Sequence, residues 1–273
     1  MVDYWQGYII STLEQPGAII QSPFGINNLP VFGADSDHTT LAISILEYLK
    51  KTGHTIDVVS MPDHIDTKSV SHATGVNVSD EECEWNILTG DEALLVCTKG
   101  EITEIPKIET IVEVDKEFHQ SMVEAWSRES SAANVSQGAY VSLSQYEHSI
   151  DPRLAMKGQL HNGKIMYPPR EQSEAGVVLG QPTHSLEKTG IVLSWTTLSA
   201  AGAPSEFVMR APLLGGMTSI LTQLESGTNG IFLMVDDEDP VLDFDLRVEF
   251  VVRRLYAQDG YMRYGRKARV IVD

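Results

Sequence analysis

The stretch Gly158–Ser173 (GQLHNGKIMYPPREQS) is the feature that most constrains how this chain can fold. Asn162-Gly163 is typical of a tight hairpin turn, and Pro168-Pro169 fixes the backbone that follows it. A small zinc-binding loop needs two close pairs of ligands, usually thiolates or imidazoles. The positions with that spacing hold other residue types: Gln159, Asn162, Ser173 and Gly176. The sequence therefore predicts a knuckle-shaped loop, termed the knuckle and placed at residues 156–185, that folds without a metal.

Charge is spread unevenly along the 273 residues. Residues 1–150 carry 23 Asp and Glu against 7 Lys and Arg, whereas residues 151–273 carry 15 against 13. We place a domain boundary near Ser149–Pro152 on this basis, at the end of a Ser-, Ala- and Gln-rich linker over residues 131–155. The acidic half would repel the phosphates of a nucleic acid, which disfavours nucleic acid as a partner.

Composition also sets expectations for the compartment. No apolar run reaches the ~18 residues that suggest a membrane-spanning helix, so we expect no membrane partner. The first residues lack the basic flank and cleavage site of a signal peptide. Only Cys83 and Cys97 are present, and two cysteines cannot form a disulfide framework. These features predict a protein of the reducing cytoplasm.

The first 130 residues predict an α/β domain. Asp35-Ser36-Asp37-His38 begins a helix, because these side chains cap free backbone N–H groups, and Gly53 ends it. Further strands are predicted over residues 8–24, 56–59, 93–97 and 102–108, with a loop over 62–82 and a helix over 118–126. Strands that alternate with helices indicate an α/β arrangement.

Three segments of this half resemble the thiolase-fold condensing enzymes, in particular their hydroxymethylglutaryl-CoA synthase branch. They are GADSDHTTLAISILEYLKKTG, TGDEALLVCTKGEITEI and EFHQSMVEAWSRES. The first is similar to an acidic-capped helix, and the second to a Gly-Asp-Gly strand in which Gly90-Asp91-Glu92 replaces the usual triplet. The resemblance implies a shortened thiolase-like α/β domain at residues 1–130.

The condensing enzymes carry a nucleophilic cysteine that this chain does not match. Cys83 lies in the segment DEECE, and nearby carboxylates raise the pKa of a thiol that a nucleophile needs lowered. Cys97 lies in an apolar strand, which predicts a core position. His64 and His72 are eight positions apart on a predicted loop, which gives no convergent metal site. An acyl-CoA hydrolase, lyase or condensing enzyme that uses Cys83, His38 or His72 stays as an alternative.

The second half is rich in short strands. They are predicted over residues 191–198, 207–210, 217–224, 231–235, 246–256 and 264–272. Five or six short strands at regular spacing are typical of a small closed barrel.

This half resembles the zinc-ribbon and OB-fold proteins that accompany acyl-CoA enzymes. The chain keeps that family's Gly163, Tyr167, Pro168, Pro169 and Arg170, and its late signature at Phe250–Tyr256, Gly260 and Tyr264-Gly265. The resemblance implies a metal-free, rubredoxin-like or zinc-ribbon-like knuckle at 156–185 and an OB-fold β-barrel at 186–273. The whole chain is therefore predicted to be an α+β multidomain protein.

Positive charge collects on the last predicted strands. Residues 251–269 hold six cations against the single acid Asp259: Arg253, Arg254, Arg263, Arg266, Lys267 and Arg269. Such residues can bind phosphates through charge-assisted hydrogen bonds. The candidate binding residues for CoA or acyl-CoA are Tyr167, Arg170, Arg253, Arg254, Tyr264, Arg266 and Lys267. Two alternatives are an exposed strand face balanced by acids, and a nucleic-acid surface in which Tyr256, Tyr261 and Tyr264 stack on bases.

The two resemblances together imply a non-catalytic subunit. The expected function is a scaffold that bridges a thiolase (acetyl-CoA acetyltransferase) and a hydroxymethylglutaryl-CoA synthase-type enzyme. No catalytic residue and no stoichiometrically bound cofactor are predicted, and CoA or acyl-CoA is the candidate ligand at a shared site. The alternatives are the acyl-CoA enzyme described above and a nucleic-acid-binding OB-fold protein.

The knuckle sequence leads to a prediction about zinc. The purified protein should carry no stoichiometric zinc, and a chelator should not unfold it, because structural zinc sites lose their fold when the metal is removed. Metal analysis and thermal unfolding with and without chelator provide the test. One bound equivalent of zinc would contradict the prediction and would direct attention to His161 and His184.

Overall fold

The computed structural model describes residues 2–81, 83–90, 92–102, 105–131, 133 and 143–271. The chain divides into two compact units, Met1–Glu124 (the N-terminal unit) and Ala125–Asp273 (the C-terminal unit). Helices and several sheets are both present, so the protein is α+β. Within this described part of the chain, no helix is long and apolar enough to cross a membrane.

The N-terminal unit is built on a mixed sheet with strand order β1-β2-β3-β9-β8-β6-β7. Its strands are β1 (Val2–Trp5), β2 (Tyr8–Thr12), β3 (Gly17–Gln21), β4 (Phe24–Ile26), β5 (Leu29–Pro30), β6 (Val58–Ser60), β7 (Asn77–Ser79), β8 (Asn86–Thr89), β9 (Leu94–Thr98) and β10 (Val112–Glu113). Strand β6 runs parallel to β7 and β8, and the other pairs of this sheet are antiparallel. A second, small sheet has the order β10-β4-β5.

Helix α1 (His38–Lys51) forms where its capping residues predict it. The Asp37 carboxylate accepts the backbone N–H of Thr40 at 3.0 Å, and the Thr40 hydroxyl in turn accepts the Asp37 N–H. This reciprocal capping satisfies two N–H groups that the first turn would leave unpaired. The predicted apolar positions are all buried: Leu41, Ile45, Leu46 and Leu49. They pack the helix onto β3 and β9.

Two predictions for the N-terminal unit were wrong. Residues 62–82 contain helix α2 (Thr67–Thr74) and strand β7, not a continuous loop. Asp66 caps α2 by accepting the Ser69 N–H, and Gly75 ends it with a φ of +70°. The described residues within 102–108 form no strand, and the next strand is β10. In α2 only Val70 and Ala73 are buried apolar residues, so its hydrophobic pattern is too short to recognise.

The described residues of the C-terminal unit form one further helix and two sheets, and the unit also takes in the end of helix α3 (Lys116–Glu129). Its elements are α4 (Leu143–Leu154), β11 (Lys157–His161), β12 (Lys164–Met166), β13 (His184–Ser185), β14 (Thr189–Leu198), β15 (Met217–Leu224), β16 (Asn229–Leu233), β17 (Arg247–Gln258) and β18 (Tyr261–Val270). The knuckle strands pair in the order β12-β11-β13, and the larger sheet has the order β16-β15-β14-β17-β18.

The larger sheet closes on itself. Met234, directly after β16, makes a parallel bridge with Ala268 in β18, although these strands lie at opposite ends of the sheet order. The Val235 N–H donates to the Ala268 carbonyl at 3.0 Å. Apolar side chains from all five strands meet inside, among them Val192, Ile220 and Phe250. Burial of these side chains supplies the main driving force for the unit.

Two segments of the C-terminal unit differ from their predicted structure. Residues 207–210 form no strand: Phe207 ends a 3₁₀ turn at Ser205–Phe207, and residues 208–210 form turns. Residues 143–154 form helix α4, although their composition suggested a linker. Ile150 and Leu154 of α4 are buried, and the helix packs on β11 and β18. Residues 134–142 of the predicted linker lie outside the described residues.

The α1 cap gives a stability prediction. Asp37→Ala should lower the free energy of unfolding by about 1 kcal/mol, because the helix loses its N-cap acceptor. Asp37→Asn, which keeps an acceptor oxygen, should lie close to the unmodified protein. Urea unfolding followed by far-UV circular dichroism measures both. Equal stability of the Ala and Asn variants would show that the cap contributes nothing.

Candidate functional site

The knuckle is held closed by one buried side-chain amide. Gln159 is 2% exposed. Its Nε2 donates to the Arg170 carbonyl at 2.9 Å and to the Gly180 carbonyl, and its Oε1 accepts the Arg170 N–H at 3.0 Å. A neutral amide thus links β11 to both later segments of the knuckle.

The other three ligand-spaced positions also serve the backbone. Asn162 and Gly163 form the turn between β11 and β12, with φ values of +49° and +75°. Such positive values are those of a tight hairpin turn. The Ser173 hydroxyl accepts the Val177 N–H at 3.2 Å, and the Gly176 N–H donates to the Ser173 carbonyl at 2.9 Å. The knuckle therefore keeps its two turns through hydrogen bonds and glycine geometry.

Aromatic stacking fixes the knuckle to the larger sheet. The Tyr167 ring stacks on Phe232 with a centroid distance of 5.8 Å, and Phe232 stacks on Phe250 at 4.0 Å. The Tyr167 hydroxyl donates to the Arg153 carbonyl at 3.2 Å. Burial raises the pKa of Tyr167 to about 12, so the phenol stays neutral. Tyr167 is thus part of the packing between knuckle and sheet, which limits its access to a ligand.

Arg170 is the exposed member of the candidate binding residues. Its backbone is fixed at both N–H and carbonyl by Gln159, so the side chain leaves the knuckle from a defined point. Among the described residues, no group of three or more His, Cys, Asp or Glu side chains is placed to hold a metal ion. The residue types at the ligand-spaced positions include no thiolate and no imidazole.

Several cations predicted to bind phosphate point inward. Lys267 is fully buried, and its Nζ lies 2.6 Å from Asp236 Oδ1. Arg266 is 5% exposed and donates to the carbonyls of Leu154 and Phe250 at 2.9 and 3.0 Å. These donors bind the protein's own acceptors. Their contacts favour a structural role over phosphate binding for both residues.

The remaining predicted residues lie along the β17–β18 hairpin. Arg253 is 2% exposed and donates to the Val252 carbonyl at 3.0 Å. Arg254 is half-buried, with its guanidinium 4.2 Å from the centroid of the Trp126 ring. The Tyr264 N–H donates to the Tyr146 hydroxyl at 3.0 Å. The structure therefore gathers these residues on one hairpin, and Arg254 is the most accessible of the three.

A buried ionic network was missed by sequence reasoning. Arg210 is fully buried, and its Nε donates to both carboxylate oxygens of Glu129 at 3.0 and 3.1 Å. Its other nitrogens donate to Asp236 at 2.9 Å and to the Leu255 carbonyl at 2.6 Å. The guanidinium also lies 3.8 Å from the Trp126 ring centroid.

The network has an electrostatic cost as well as a benefit. Burial raises the pKa of Glu129, and the nearby Arg210 partly reverses that effect. Removal of one partner from such a pair leaves an uncompensated buried charge. An arginine inside the apolar run FVMRAPLL was the one sequence signal of this network.

The residues of the alternative enzyme lie in the N-terminal unit. The Cys83 thiol donates to the Trp85 carbonyl at 3.1 Å. Cys97 is fully buried in β9, where burial raises the pKa of its thiol. His38 and His64 lie edge to face at 4.9 Å, and burial lowers the pKa of His38. His72 lies in the last turn of α2. Burial of Cys97 favours its neutral thiol, which is a weak nucleophile.

No protein-family model matches this chain, and the search of curated proteins gives no match either. An assignment of function therefore depends on the contacts described above and on the sequence resemblances.

The Gln159 contacts give a second stability prediction. Gln159→Ala should lower the free energy of unfolding by about 1–3 kcal/mol, because partly buried backbone groups lose their partners. The matched control is Gln172→Ala, at an exposed position of the same loop, which should change stability by less than about 0.5 kcal/mol. Urea unfolding of both variants provides the comparison. Equal effects would show that Gln159 does not hold the knuckle.

Proposed function

We propose that this protein is a non-catalytic scaffold subunit of an acyl-CoA-processing complex. It would bridge a thiolase (acetyl-CoA acetyltransferase) and a hydroxymethylglutaryl-CoA synthase-type enzyme. The observation that carries the proposal is the knuckle, which keeps a folded shape and packs on the larger sheet while its ligand-spaced positions hold no zinc ligand. A loop that folds without a metal still presents a surface that a partner protein can bind.

The larger sheet supports assignment of the C-terminal unit to the OB-fold class. The OB fold is a five-stranded, partly open Greek-key barrel. Here β14 pairs with β15 and β17, and the end of β16 meets β18 in a parallel bridge. This bridge brings the two ends of the five-stranded order together, which is consistent with a partly open barrel. OB folds serve as binding modules, which is consistent with a scaffold.

The proposed thiolase-like origin of the N-terminal unit rests on the sequence resemblance. Helix α1, with its Asp37 cap, and the buried strand β9 occupy two of the segments that carry it. A shortened unit of this kind would associate with a condensing enzyme without adding a reaction of its own. The hydrogen-bonded Cys83 and the buried Cys97 support that reading.

CoA or acyl-CoA is the ligand we propose for a shared site between scaffold and enzyme. Arg170 is the exposed candidate residue, and Arg254 is half-buried. A guanidinium binds phosphate well because it presents several donors in a fixed geometry. The remaining candidates, among them Lys267 and Arg266, would support the hairpin that carries Arg254.

The test is reconstitution from purified parts. The protein should elute with thiolase and hydroxymethylglutaryl-CoA synthase from the same source as one complex, with a mass that includes all three. The two enzymes should remain separate when they are mixed without this protein, because the scaffold supplies the link. Native mass spectrometry gives the stoichiometry.

A Cys83→Ala variant serves as the catalytic control. It should assemble normally and leave the acyl-CoA activity of the complex unchanged. Failure of the unmodified protein to bind either enzyme would contradict the scaffold function. Loss of activity in the Cys83→Ala complex would favour the alternative of an enzyme in its own right.

A further inference from the structure

The second half of β14 is an open sheet edge. Residues Thr189–Ile191 pair with β17, and Val192 exchanges backbone hydrogen bonds with Asp245 and Leu246 at 2.9 Å. Beyond a bulge, Ser194–Leu198 pairs with β15 alone. Among the residues that the structure describes, no backbone hydrogen bond reaches the other side of Ser194–Leu198. All five residues are exposed.

Apolar side chains lie along this open edge. Trp195 is 37% exposed and Leu198 is 38% exposed. Phe244, 63% exposed, lies beside Trp195 with ring centroids 5.3 Å apart. Val241, in the same loop as Phe244, is 93% exposed. Aromatic side chains of this kind are enriched at protein interfaces.

The rim of this edge is acidic. Exposed carboxylates flank the apolar residues of the β16–β17 loop, at Asp239, Asp243 and Asp245. A partner segment that carries Lys or Arg beside apolar residues complements such a rim. A second copy would bring the same carboxylates against them, and the chain carries a net charge of −18. Charge therefore disfavours a second copy and equally disfavours nucleic acid.

We propose that Ser194–Leu198 accepts a β-strand from a partner protein. The partner segment is extended and carries alternating apolar and basic side chains. It would pair with the open N–H and C=O groups of β14, while its apolar side chains cover Trp195 and Phe244. Strand addition to an exposed edge gives affinity through the backbone and specificity through alternate side chains. Five residues offer about 17 Å of edge, enough for a strand of similar length.

This inference rests on the scaffold function proposed above, and it identifies the surface to which an enzyme partner binds. An unprotected edge is otherwise a liability, because it invites pairing with other chains. The exposed aromatic residues favour pairing of this edge with another chain, whereas Lys or Pro residues would oppose such pairing. The residues at this edge are instead Ser194, Trp195, Thr196, Thr197 and Leu198.

The experiment combines affinity with hydrogen exchange. In the complex with purified thiolase or hydroxymethylglutaryl-CoA synthase, amide exchange across Ser194–Leu198 should slow by about tenfold or more, because hydrogen-bonded amides exchange only on opening. Trp195→Lys should weaken binding by about tenfold or more, because a central aromatic contact is replaced by a charge. The matched control is Ile231→Lys on β16, where the side chain is 72% exposed. It should bind as the unmodified protein does.

Each outcome has a distinct meaning. Binding with unprotected Ser194–Leu198 amides, or undiminished binding by Trp195→Lys, would overturn the strand-accepting edge and leave the scaffold function intact. Weaker binding by Trp195→Lys without amide protection would also overturn it, since side-chain contact alone does not add a strand. If the unmodified protein binds neither enzyme, both the scaffold function and this choice of partner are contradicted. Far-UV circular dichroism of the variants confirms that they fold.

Discussion

The conformation of the knuckle depends on the buried amide of Gln159. Its Nε2 donates to the carbonyls of Arg170 and Gly180, and its Oε1 accepts the Arg170 N–H. The amide thereby connects three segments that a metal would otherwise join. A net hydrogen bond contributes about 0.5–1.5 kcal/mol to stability, whereas structural zinc contributes about 10–16 kcal/mol in small domains. Hydrogen bonds alone therefore cannot replace the metal in energy. Packing adds to these bonds, because the Tyr167–Phe232–Phe250 stack fixes the knuckle to the larger sheet.

Buried cations of the C-terminal unit are likewise bound by acceptors within the protein. Lys267 and Arg210 converge on Asp236, and Arg210 also pairs with Glu129. Buried pairs of this kind add little net stability, but they penalise any arrangement that separates the partners. The network therefore fixes one position for the loop that holds Arg210. Because these positive charges are used inside, acidic residues such as Asp243 and Asp245 set the character of the surface near β14.

The sequence predicted elements whose signals are local. Asp37 and Gly53 bound α1 as expected, and the Asn162-Gly163 turn has positive φ at both positions. Elements with few apolar residues were missed. Helix α2 buries only Val70 and Ala73 in its apolar face, and α4 lies in a polar segment.

The candidate site was predictable in part for the same reason. The last two strands lie close to their predicted positions, but the burial of the cations on them was not foreseen. Lys267 pairs with an acid 31 residues away, and Arg210 with one 81 residues away. A charge pattern read along the chain shows neither partner, so inward-pointing cations resemble an exposed basic face. Likewise, the open edge at Ser194–Leu198 depends on where β17 stops pairing with β14.

The most direct measurement is hydrogen exchange of the Gln159 side-chain amide by NMR. A metal-free knuckle held by this residue predicts slow exchange of both Nε2 protons, unchanged by a chelator, because both protons are hydrogen-bonded to carbonyls. The exposed Gln172 amide in the same loop provides the reference for fast exchange. Exchange of Gln159 as fast as that of Gln172, or protection that disappears with chelator, would contradict the account.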